Sequence, residues 1–173
     1  TAILSEWDAS IAVRRLGVAE REDIRPLLLD DQSLAISYQR EFASTAGQQS
    51  YLGDRQNFPL LGGQQTDLYK CFIPKCWSIG SEAGVTGLFH PESIYNDAKA
   101  SDTRRQLYPR LKYIFYFENS LYLFAEVHDR KRFTANIYRS RSNPVVDFFQ
   151  ISNLYHPSTI DDCFAHDGRG RVP

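Results

Sequence analysis

The residues best placed to do chemistry in this chain are a histidine with a nearby carboxylate and a strip of cations. His90-Pro91-Glu92-Ser93 ends an apolar run, and a histidine two positions from a glutamate at a strand end could act as an acid–base pair. The simpler reading is that His-Pro stops the strand. Arg130, Lys131, Arg132, Arg139 and Arg141, flanked by Phe133 and Tyr138, have the composition of a phosphate-contacting surface. A charged hairpin tip that only confers solubility has the same composition. Lys99, Arg104 and Arg105 form a weaker basic candidate.

Other chemistries find less support. His128, His156 and His166 share no metal-ligand spacing with acidic residues, and Asp161, Asp162 and Asp167 read as solvated turns. Cys71, Cys76 and Cys163 are an odd set without paired-knuckle spacing, which argues against a disulfide framework or structural zinc. Cys71 and Cys76 read as small helix-core residues. No glycine-rich phosphate loop or Gly-x-Ser-x-Gly elbow occurs. Asn143-Pro144 is expected to be a plain turn.

With 42% hydrophobic residues, 11 Phe and 10 Tyr in 173 residues, the chain can bury a core and is not of the disordered class. The net charge of −1 excludes bulk attraction to polyanions, yet charge is unevenly spread. Residues 1–54 hold five Arg against nine Asp and Glu, whereas residues 128–141 hold five Arg and Lys against one Asp. No run approaches the ~20 apolar residues needed to cross a bilayer, and a cytoplasmic location is the default expectation.

The elements that must position these groups fall into three blocks. Residues 1–65 read as a helical and loop insert: a loop over 1–17, helices over 18–31 and 34–45, and a long loop over 48–65. Residues 66–142 carry the fold. Thr66 is the expected cap of a helix whose Leu68, Phe72, Cys76 and Ile79 share one face, with Pro74 within it. A buried strand over 85–89, a helix over 103–110 opened by Ser101 or Asp102, and a β-prone run over 113–117 follow. Residues 121–127 and 133–138 are expected to form a hairpin around the charged turn 128–132. Residues 143–173 hold a strand over 145–151 and an irregular tail. The order predicts an α/β fold: the second half of a doubly wound, mixed sheet, with 85–89 and 113–117 running parallel and 133–138 antiparallel.

The blocks DLYKCF (67–72), GLFHPES (87–93) and RRQLYPRLKYIFYFENSLYLFAEVHDRKRFTANIY (104–138) resemble the downstream half of the catalytic domain of adenine-N6 DNA methyltransferases. The likeness is to the large type IIG restriction-modification and phage-defence methylases, and about seventy residues carry it. Ile3 to Leu61 is similar to the insert these enzymes place before the Asp-Leu-Tyr helix. The resemblance implies S-adenosylmethionine-dependent methylation of a flipped-out adenine in DNA, with Phe124 at the position of a target-base stacking aromatic. It also implies that the basic hairpin lies beside the DNA.

Neither the glycine-rich cofactor loop nor the Asn-Pro-Pro-aromatic motif of that family is present. The chain is therefore expected to be a segment of a larger enzyme, holding no cofactor and inactive alone. It is expected to associate with itself or to pair with the missing half of its sheet. Two alternatives are a non-catalytic binding or assembly module, and an unrelated α/β protein.

Overall fold

A computed structural model describes residues 2–65 and 67–171, the side chains of Ala2 and Ile3 excepted. The chain divides into two compact units, Thr1–Leu52 and Gly53–Pro173.

Helices are the regular structure of the first unit's described residues. Helices α1 (Ala2–Trp7), α2 (Ala9–Val13), α3 (Val18–Leu28) and α4 (Gln32–Gly53) follow in order. The loop expected over 1–17 is thus two short helices. The Asp8 carboxylate accepts from the Ser10 amide and starts α2, as an N-cap should. Asp31 does the same for α4, taking the amides of Ser33 and Leu34 at 2.8 and 3.0 Å. Gly47 does not end α4, which runs on to Gly53, because one glycine costs a helix interior only about 1 kcal/mol. Leu4, Ile11, Leu16 and Leu34 form a small core.

The second unit is mixed α/β. Helix α5 (Leu68–Ile79), strand β1 (Val85–Pro91), helices α6 (Ser93–Asn96) and α7 (Ser101–Leu107), strands β2 (Leu111–Glu118), β3 (Arg132–Arg139) and β4 (Phe149–Leu154), and helix α8 (Ser158–Ala165) build it. The sheet order is β1-β3-β2-β4. Strand β3 is antiparallel to both β1 and β2, so β1 and β2 point the same way in one layer, and β4 is parallel to β2. The mixed sheet and these three strand directions match the sequence expectation. The pairing does not: residues 121–127 are no strand, and β3 takes its partners from 85–91 and 111–118 instead. Strand β4 also begins later than expected, leaving Val145 and Val146 exposed outside it.

Strand alternation puts successive residues on opposite faces. One face carries Leu111, Ile114 and Tyr138 against Ile73 of α5, Ile94 of α6 and Leu107 of α7. The other carries Phe115 and Phe117, with Leu154 and Ile160, the latter from α8. Helix α5 corrects the sequence reading. Leu68, Phe72 and Ile79 are exposed, and the buried residues are Lys70, Cys71 and Ile73, with Tyr69 and Trp77 packed on the core. Its N-cap position is held by Asp67; Thr66 lies outside the described residues. Residues 53–65 belong with the sheet, since the Leu60 carbonyl accepts from both Gln64 and Thr103.

Candidate functional site

Strands β1 and β2 end, and β3 begins, at one edge of the sheet. There a cleft of about 1270 Å³ opens, lined by side chains from α5, β1, α6, β3 and the connection 119–131. Ligands of open α/β sheets bind outside the carboxyl ends of strands. The cleft has three chemically distinct parts.

Its wall is aromatic. Phe124 meets Phe133 edge to face at 4.9 Å and 86°, and Phe89 lies 6.3 Å from Phe124 and 6.5 Å from Phe133. Phe133 is fixed from behind by Phe117, stacked at 5.2 Å. Phe89 and Phe124 keep 68% and 43% of their surface exposed, so their rings are free to stack on a ligand.

Its rim is cationic. Arg130, Lys131 and Arg132 are exposed and line the cleft; Arg132 makes only a loose pair with Glu118 at 3.9 Å. The basic strip is not continuous, however. Arg139 and Arg141 sit at the far end of β3, about 23 Å away at the rise of an eight-residue strand, beside Glu82 and Gly84. There Arg139 donates to the Leu111 and Asp147 carbonyls and Arg141 pairs with Glu82. A linear sequence places five cations in one strip, but the strand between them separates the two groups.

Its floor holds Lys70, Asp67 and Asp97. The Lys70 ammonium is buried, 2.9 Å from Asp97 and 3.9 Å from Asp67, and it also donates to the Gln65 carbonyl. The hydrogen bond from Lys70, joined by the Lys99 amide, holds the Asp97 carboxyl below its ordinary range. Sequence reading missed Lys70 because a lysine is normally exposed.

His90 is turned away from the cleft's solvent. Its Nδ1 donates to the Pro91 carbonyl at 2.8 Å, and Nε2 accepts from the Tyr138 hydroxyl and the Asn136 amide, each at 2.9 Å. Tyr69 stacks on the imidazole at 5.3 Å and Tyr95 at 6.0 Å. Burial lowers the His90 pKa and keeps the ring neutral. With both nitrogens engaged, His90 cannot serve Glu92 as an acid–base partner. The same burial raises Tyr95 and Tyr138, and pushes Tyr116 up to about 12, so all three remain protonated donors.

The other candidates are structural. Arg104 donates to the carbonyls of Ile94 and Asp97, and Arg105 pairs with Asp102 on the surface. His128, His156 and His166 each accept an amide two residues on. Among the described residues no three His, Cys, Asp or Glu side chains gather to hold a metal. Asn143 is a turn residue, accepting from the Val145 amide. Cys71 is buried and Cys76 half-buried, in keeping with core roles.

Gly80, Gly84 and Gly87, which flank β1 or lie in it, do not fit the glycine cradle that S-adenosylmethionine would need. That cradle needs open backbone after a strand. Here Gly80 and Gly84 face the Ser140 hydroxyl, and Gly87 faces the Ile137 side chain. These glycines accommodate neighbouring side chains. No helix among the described residues is long and apolar enough to cross a membrane. Comparison of the chain with protein-family models, curated proteins and solved structures returns no match.

Proposed function

We propose that this chain supplies the target-base and DNA-facing surface of an S-adenosylmethionine-dependent DNA adenine-N6 methyltransferase of the restriction-modification or phage-defence kind. The methyl donor would be held by another part of that enzyme. One observation carries the reading: Phe124 stands on the aromatic wall of the same cleft whose rim is Arg130, Lys131 and Arg132. An unstacked base has a π-face to lay on an exposed ring, and its phosphates have cations within the same cleft. The directions of β1, β2 and β3 are also those the resemblance requires.

A single-stranded oligonucleotide carrying 2-aminopurine tests this. Binding to the chain should quench the fluorophore by stacking, and Phe124→Ala should weaken binding about 5- to 150-fold, the range of one lost base–aromatic stack. Labelled methyl groups should reach DNA only when a donor-binding segment is added in trans. Unquenched binding by the wild-type chain, or an unaffected Phe124→Ala variant, would remove the proposal.

A second reading, a non-catalytic assembly module, is favoured by the open edge of β1. Among the described residues that strand pairs only with β3, and its Val85 and Phe89 are 60% and 68% exposed. Concentration-dependent sedimentation of the chain, abolished by Phe89→Glu and accompanied by no oligonucleotide binding, would support it over the first.

A further inference from the structure

The connection between β2 and β3 contains one residue that bonds to both the aromatic wall and the cationic rim of the cleft without lining it. Asn119 is fully buried. Its Oδ1 accepts from the Phe124 amide at 3.0 Å, and its Nδ2 donates to the carbonyls of Phe124 at 3.0 Å and Val127 at 2.6 Å. Only this orientation of the side-chain amide is chemically consistent, since a flip would set Nδ2 against an N–H and Oδ1 against two carbonyls. Through its own backbone, Asn119 donates to the Lys131 carbonyl at 3.1 Å and accepts from Tyr122 at 2.8 Å.

The side chain therefore does for Phe124 what a neighbouring strand would do, pairing both its N–H and its C=O. That explains why the apolar run 121–127 is not a strand: the amide side chain takes the Phe124 N–H and the Phe124 and Val127 carbonyls, while the Tyr122 N–H goes to the Asn119 carbonyl and the Val127 N–H to the Phe124 carbonyl. Leu121, Tyr122 and Leu123 are displaced into solvent, with Tyr122 at φ +53°, a left-handed conformation that a bulky residue keeps only when its surroundings impose it.

We infer that Asn119 is the positioning residue of the cleft: its side chain sets the Phe124 ring on the wall, and its backbone ties the Arg130–Arg132 rim to the same point. This rests on the base-receiving reading of the cleft and adds to it the device that pre-forms the stacking surface before any ligand arrives.

The test uses the full chain and the 2-aminopurine oligonucleotide, reading stacking by fluorescence quench and total binding by anisotropy of an end label. Asn119→Ala and the isosteric Asn119→Asp, whose carboxylate faces two carbonyls, should each lose most of the quench and weaken anisotropy binding no further than Phe124→Ala does, because the cationic rim still binds. The Phe124 amide should exchange with deuterium at least about tenfold faster. Tyr122→Gly, which accepts the left-handed backbone without strain, should keep the quench, because the turn itself does not hold Phe124.

An Asn119 variant that is folded by circular dichroism and still quenches like wild type would overturn the assignment. So would loss of quench in Tyr122→Gly, which decides the matter even if the Asn119 variants do not fold. A wild-type chain that binds without quenching would instead remove the base-receiving reading, and this inference with it.

Discussion

The Lys70 ammonium lies 2.9 Å from the Asp97 carboxylate, with the lysine 3% and the aspartate 23% exposed. The asymmetry decides which partner is costlier to remove. Asp97→Ala strands a buried cation with only Asp67 at 3.9 Å and the Gln65 carbonyl at 3.4 Å, and should cost about 2 kcal/mol, below the ~3–5 kcal/mol of a wholly buried pair. Lys70→Met leaves a carboxylate that still accepts from the Lys99 amide and reaches water, and should cost less. Urea unfolding of both variants at pH 7 gives the order.

His90 makes stability depend on pH. Its folded pKa lies below the ordinary 6.5, so its contribution is complete above that value and is lost as pH falls through 6.5 toward the folded pKa. The groups facing it, Tyr69, Tyr95, Tyr138, Thr134 and Asn136, offer no carboxylate to offset a charge. Unfolding free energy should therefore drop between pH 7 and pH 5 in the wild type, where carboxylates remain ionised. In His90→Asn the drop should be smaller. Equal slopes for the two proteins would contradict the neutral-imidazole assignment.

The split of the basic strip separates binding from stability. Replacing Arg130, Lys131 and Arg132 together by Ala should make the logarithmic salt dependence of single-stranded DNA binding about 2 units shallower, at roughly 0.7 per charge. Arg139→Ala should leave that slope unchanged and lower the melting temperature, since it frees the Leu111 carbonyl. Titrations at several salt concentrations, beside thermal melts, distinguish the two ends of β3.

Gly80 and Ser140 make a steric pair. A Cβ at residue 80 would collide with the Ser140 hydroxyl, which is buried and has no hydrogen-bond partner among the described residues. Gly80→Ala should destabilise by about 1–3 kcal/mol through overpacking. Ser140→Ala alone should be close to neutral, because it removes an unsatisfied polar atom, and should recover part of the loss in the double variant. A thermodynamic cycle over the four proteins measures the coupling.

Much of the sheet was legible in the sequence, and the exceptions have physical causes. The runs 85–89, 113–117 and 133–138 are rich in β-branched and aromatic residues, and all three lie in strands. The run 121–127 is equally apolar but is not a strand, because its backbone bonds to the side chain and main chain of Asn119 and within itself, an arrangement no periodicity reveals. The exposed Leu68, Phe72 and Ile79 of α5 misled for the opposite reason: four-residue spacing locates a stripe but not which way it faces, and the buried stripe contains a lysine. At the site, Phe124 and residues 130–132 fall in one cleft. Lys70, Asp97 and Asn119 stayed hidden because buried polar residues are recognisable only by their partners.

The position of β3 in the sheet governs how the chain can be made. Residues paired between β1 and β3 are 42 to 54 apart in sequence, and β2, synthesised between them, touches β1 nowhere in the ladder. A nascent polypeptide that has left the ribosome only as far as Glu118 therefore holds two strands with no mate between them. Until Arg132–Arg139 emerges, both hydrophobic edges are open to other molecules, and it is that one late strand that closes them together.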